Sequence, residues 1–240
     1  MGTVMLRAAA KTVFNSALSV MPQGARNSFK RYHELRYWRG VTRPIRDDRA
    51  KLEHERSHYE QFFTTFFGLA RADYAGKRLL DIGCGPCGSL EWAAEAAERV
   101  GLDPLADDYR KLANDRQQMS YCAAPSEAIP YPDGHFDSVS TFNSLDHVDD
   151  VDKTIAEIKR VTAPNGRVLL IVEIGHIPTP TEPHHLDETI IAKFGPEFEA
   201  VSVRTFGVRH DHNVYGSMLD AIPYEPGKPG ILAARLQRKG

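Results

Sequence analysis

Six of the ten histidines follow three of the chain's apolar strand candidates: His147, His176, His184, His185, His210 and His212. Imidazole titrates near neutrality, so one within hydrogen-bond reach of an acceptor hydroxyl can take its proton. His147, His176 and His185 are the catalytic candidates. A second group is backbone chemistry. Asp81-Ile82-Gly83-Cys84-Gly85 joins a strand to a predicted helix, and glycines there let a ligand approach the main chain closely. Asp103 follows 22 residues after Asp81, where a carboxylate can accept both hydroxyls of a ribose. These features alone fit a dinucleotide as well as any other nucleoside cofactor.

Two other motifs compete. His54-Glu55-Arg56-Ser57-His58 spells the zinc-protease helix pattern, two imidazoles at i and i+4. On a helix, both project roughly 120–165° away from the Phe/Leu stripe. Cys84-Gly85-Pro86-Cys87 spells a thioredoxin-like dithiol. However, Gly83 stands where that family has Trp, and a long series of further βα units follows. Asp146, His147, Asp149 and Asp150 offer oxygen and nitrogen ligands for a divalent ion, but aspartates ahead of Val151 equally suit a helix N-terminus. The reading adopted has no metal.

The positioning elements alternate. Strands are expected at Arg78 to Ile82, Val100 to Asp103, Met119 to Ala123, Phe136 to Phe142 and Arg167 to Glu173. Helices are expected at Leu90 to Ala97, Leu105 to Asn114 and Val151 to Val161. Further on come a helix near Leu186 to Phe194, a strand Phe198 to Phe206, a long loop from Arg209 to Gly230 and a strand Ile231 to Leu236. Such alternation predicts an α/β fold, a doubly wound, mainly parallel seven-stranded sheet whose last strand is antiparallel. Ahead of it, Arg49 to Phe67 reads as a helix with Leu52, Tyr59, Phe63, Phe66 and Phe67 on one stripe, stopped by Gly68. Residues 5–20 read as a basic amphipathic helix. Residues 1–70 are expected as a helical cap on a domain of residues 71–240.

Four segments together resemble the class I S-adenosylmethionine (SAM)-dependent methyltransferases. They are Leu79-Leu80-Asp81-Ile82-Gly83-Cys84-Gly85, Val100-Gly101-Leu102-Asp103-Pro104, residues 126–137 beginning Ser126-Glu127-Ala128, and residues 157–167 ending Pro164-Asn165-Gly166-Arg167. The resemblance implies SAM as cofactor and a methyl transfer. It implies that Asp81 organises the first turn, with Gly83, Cys84 and Gly85 along the methionine portion. Asp103 and Pro104 would hold the ribose, Ser126 and Glu127 would flank adenine, and Asn143 would approach the reactive end. Two positions depart from the family: Cys87 replaces the third glycine, and Pro125 replaces the acidic residue near adenine. The resemblance does not name the acceptor; the expected one is a polar small molecule, a sugar or metabolite hydroxyl. The alternatives are a non-catalytic SAM-binding partner subunit and a nucleic-acid methyltransferase.

Composition constrains the partners. The 240 residues carry 30 Lys+Arg and 32 Asp+Glu, a net charge of -2, which argues against binding nucleic acid by bulk electrostatics. Residues 1–60 nevertheless hold 12 Lys+Arg against 6 Asp+Glu, a local balance of +6. No apolar run approaches the roughly 20 residues of a membrane span, and three cysteines do not make a disulfide scaffold. The expected location is cytoplasmic, and the oligomeric state is left open to a homo-oligomer.

Overall fold

The computed structural model describes residues 22–44, 48–112, 117–179 and 181–240. The amphipathic helix expected over residues 5–20 lies outside the described residues. Seven strands form one sheet: β1 Arg78–Ile82, β2 Glu98–Leu102, β3 Ser120–Cys122, β4 Phe136–Phe142, β5 Thr162–Ile174, β6 Phe198–Gly207 and β7 Gly230–Arg238. Their order is β3-β2-β1-β4-β5-β7-β6. The first five pair in parallel, and β7 runs antiparallel to both β5 and β6. The antiparallel pair thus sits at one edge as expected, with β7 inserted inside β6. The strand order reverses between β1 and β4, the place where open α/β sheets leave a crevice beyond their carboxyl ends.

Both faces of the sheet are covered. On one, α4 (Val151–Val161) buries Val151, Ile155, Ile158 and Val161 against β1, β4 and β5. Its spacing of three and four residues puts these side chains on one stripe, and Asp150 caps it by accepting the Lys153 amide at 3.0 Å. On the other, α2 (Arg49–Phe63) supplies Phe62 and Phe63, and a 3-10 turn Thr65–Phe67 supplies Phe67, to a core with Leu79, Leu169 and Ile171. Each buried phenyl contributes about 1.5–3 kcal/mol. The expected helix to Phe67 therefore breaks at Thr64 and ends on Gly68, which takes the left-handed conformation at φ 68°.

Two local readings are corrected. Leu90 to Ala97 is a series of turns, not a helix. Gly83, Gly85 and Gly88 hold φ values of 73°, 56° and 78°, which keeps the chain turning. Leu90, Trp92 and Ala93 then enter the core from successive turns. The long loop after β6 contains a short helix, α5 (Val214–Leu219), capped by Asn213 Oδ1 on the Gly216 amide at 2.8 Å. The remaining helices are α1 (Gln23–Thr42) and α3 (Ala106–Leu112), and Glu188–Phe194 is 3-10. Among the described residues, no helix is long and apolar enough to cross a membrane.

Candidate cofactor and acceptor site

The first turn is built by a buried carboxylate. Asp81, near the end of β1, accepts from Ser140 Oγ of β4 at 2.6 Å and from Ser89 Oγ of the turn at 2.5 Å. Burial raises its carboxyl to about pH 6, and the two hydroxyls pull the other way. Glycine is required at position 83: a Cβ there would lie 2.3 Å from Ser144 Cβ. Ser144 cannot easily yield, because its Oγ donates to the Ile82 carbonyl at 3.0 Å. Cys84 fills the space over Gly101, where a Cβ would lie 2.6 Å from its Sγ. Burial pushes this thiol well above its ordinary value, so it is a poor nucleophile. Cys84 and Cys87 are both buried, so the dithiol pattern presents neither sulfur to a substrate.

Asp103 follows directly on β2, and its Oδ1 accepts from the Leu105 amide at 2.7 Å. Burial raises its carboxyl to about pH 7; Glu34 of α1 adds to the rise and His147 opposes it. Pro104, beside it, is exposed. Ser126 is buried with its Oγ 3.0 Å from Thr154 Oγ1. Glu127 Oε1 accepts from the Asp149 and Asp150 amides at 2.7 and 3.0 Å, tying the loop after β3 to the start of α4.

Beyond β4 and β5 the histidines separate. Asn143 holds a left-handed φ of 51°, and its Oδ1 is buried without a partner. Asp146, 2% exposed, lies between two imidazoles. Its Oδ1 is 3.9 Å from His147 Nε2, and its Oδ2 is 3.7 Å from His176 Nε2. His176 Nδ1 faces the Ile177 carbonyl oxygen at 3.3 Å. A carbonyl only accepts, so Nδ1 carries the proton in the neutral ring and Nε2 presents a lone pair. That Nε2 is buried and unpartnered. His185 is exposed, with its Nδ1 meeting the His176 carbonyl oxygen at 3.0 Å, and His184 Nε2 donates to the Val148 carbonyl at 2.8 Å. His210 and His212 are exposed. No group of three His, Cys, Asp or Glu among the described residues could hold a metal ion. His54 is exposed, but His58 packs edge-on against Phe62 and Tyr215 instead of projecting away from the apolar side, so the two rings of the zinc-protease pattern do not share one open face.

Residues 80–170 match the family model described as a methyltransferase domain. That match covers less than half of the chain, and over it residues 80–170 are similar to the class I SAM-dependent methyltransferases. SAM is the cofactor of this domain. The domain is 34% identical over 104 residues to a chloroplastic tocopherol O-methyltransferase of Arabidopsis thaliana, covering 40% of this chain and 30% of that protein. It is 31% identical over 103 residues to norajmaline N-methyltransferase of Rauvolfia serpentina, covering 40% and 35%. The chain therefore spans less than half the length of either of these relatives. In fold it matches the N-methyltransferase NodS of Bradyrhizobium japonicum with a TM-score of 0.52 at 16% identity, covering 81% of this chain and 99% of that one.

Over the methyltransferase domain's glycine turn lies α1. A Cβ on Gly85 would meet Trp38 Cζ2 at 2.9 Å, so the indole rests directly on the turn. Trp38 Nε1 donates to Glu34 at 2.7 Å, and its ring stands edge-on to Tyr109 of α3. The helix is pinned on both sides of the crevice: Arg31 to Asp108 at 2.6 Å, and Lys30 to Asp149 at 2.8 Å. Sequence reasoning missed Trp38 and also Glu173. Glu173 had a readable signal, a lone carboxylate closing an otherwise apolar strand. Trp38 had none, because its role depends on where α1 docks.

Proposed function

We propose that this chain transfers a methyl group from SAM to a hydroxyl of a polar small molecule, with His176 taking the acceptor's proton. Asp81, Gly83, Gly85 and Asp103 would hold the cofactor. The fit is physical: Asp103 is a carboxylate raised by burial that ribose hydroxyls would satisfy, and Asn143 Oδ1, just beyond β4, is a buried acceptor that receives no hydrogen bond. When bound, SAM supplies an electrophilic methyl group with its own leaving group, so alignment is the larger task of the protein.

The observation that carries the reading is the buried Nε2 of His176, which makes no hydrogen bond and lies beside the Asp146 carboxylate. Nε2 can receive a proton while Nδ1 keeps its contact with the Ile177 carbonyl. Asp146, at 3.7 Å, then stabilises the imidazolium that forms. Residues before about 70 act in this reading as a cap, with α1 closing the cofactor crevice. Relatives named as O- and N-methyltransferases support a small-molecule acceptor, and the near-neutral charge disfavours nucleic acid.

The test is calorimetric titration with SAM, followed by S-adenosylhomocysteine formation against a panel of small-molecule alcohols. His176→Ala should lower turnover at least about 100-fold with SAM affinity unchanged. Failure to bind SAM refutes the cofactor reading, and an unchanged rate in His176→Ala removes this histidine from the mechanism.

A further inference from the structure

Around His176 the polar groups are unbalanced. Asp146 Oδ1 and Asn143 Oδ1 are buried acceptor atoms that receive no hydrogen bond, with His147 Nε2 3.9 Å from the first. Glu173, at the end of β5, is partly buried. The charges that act on it most are Asp146 and Glu182, both negative, followed by the imidazoles of His176 and His212. Those acting on Asp146 are His147, Glu182 and His176. No lysine or arginine ranks among them. Burying carboxylates together is unfavourable unless a positive charge or several donors join them. Burial pushes the carboxyls of both Asp146 and Glu173 up from their ordinary values.

We propose that the acceptor brings the missing charge: an ammonium group seated against Asp146 and Glu173, which makes the substrates of this site hydroxylated amines. This rests on the methyltransferase reading above and adds the acceptor's charge to it. An ammonium offers three donors and no acceptor, which matches Asp146 Oδ1, Asn143 Oδ1 and the Glu173 carboxylate and leaves His176 Nε2 for the hydroxyl. A neutral alcohol brings one donor and no charge. An anionic acceptor adds a further negative charge to the cluster.

The experiment measures binding and needs no turnover. The full chain is saturated with S-adenosylhomocysteine, then titrated with matched triplets: tyramine, tyrosol and para-hydroxyphenylacetate; ethanolamine, ethylene glycol and glycolate. The ammonium member of at least one triplet should bind about tenfold or more tighter than its neutral partner, and the anionic member weakest. Glu173→Gln should erase that preference while S-adenosylhomocysteine affinity stays unchanged, and Asp146→Asn should reduce it. The proposal is overturned if the neutral or anionic member binds as tightly, if no ammonium member binds, or if magnesium or zinc chloride alone occupies the cluster. If the chain fails to bind S-adenosylhomocysteine at the outset, the methyltransferase reading itself falls, and the two failures are thereby told apart.

Discussion

Replacing Asp103 by Asn should make the cofactor-free protein more stable at pH 8 and less able to bind SAM. Burial lifts this carboxyl from 3.8 to about 7. Between those values the unfolded chain has released the proton and the folded chain retains it, so folding grows less favourable as pH rises. Above pH 7 the penalty is fully developed, and below pH 4 it vanishes. At about 1.4 kcal/mol for each tenfold, the full rise is worth about 4 kcal/mol. The side chain keeps some contact with water, which screens it, so about 2 kcal/mol is the expected gain. Asparagine has the same shape and retains the oxygen that accepts from the Leu105 amide. A gain of 2 kcal/mol should raise Tm by about 4–8 °C at pH 8, with little change at pH 4. Differential scanning fluorimetry across pH reads this directly. SAM should shift the wild type more than the variant, because ribose hydroxyls stabilise the ionised carboxylate. A variant no more stable than wild type at pH 8, or equally stabilised by SAM, would refute the reasoning.

Two further outcomes follow from the same crevice. Gly83→Ala combines a left-handed φ of 73° with a 2.3 Å approach to Ser144 Cβ; it should cost about 2–4 kcal/mol by chemical denaturation. Adding Ser144→Gly should restore part of that loss, and strict additivity of the two changes would show that the contact is not the cause. Trp38→Ala should raise the association rate of SAM in stopped-flow mixing, because the indole rests on the Gly85 turn. An unchanged association rate would mean that α1 does not gate the site.

Much of the fold was legible because it depends on local pattern. The parallel strands, α4 and the Gly83–Gly85 turn follow from apolar periodicity and from the backbone freedom of glycine. The stretch from Leu90 to Ala97 misled because an apolar run of that length suits a helix as well as a chain of turns. Gly88 at φ 78° decides between them, and its sign is invisible in the residue type. In the site, Asp81 and Asp103 could be named from spacing, but their partners could not. Ser140 reaches Asp81 from 59 positions away, and Glu34 reaches Asp103 only because α1 docks across the crevice.

The histidines mark the division most clearly. By itself the sequence determined that six of them follow the strands of one sheet, since strand ends are set by local periodicity. Tertiary structure alone decided which of these rings meets a buried carboxylate. Asp146 gathers His147 and His176 while His185, His210 and His212 remain exposed. The reason is long range: which imidazole is desolvated, and which nitrogen keeps a free lone pair, depends on how separate loops fold over the same end of the sheet.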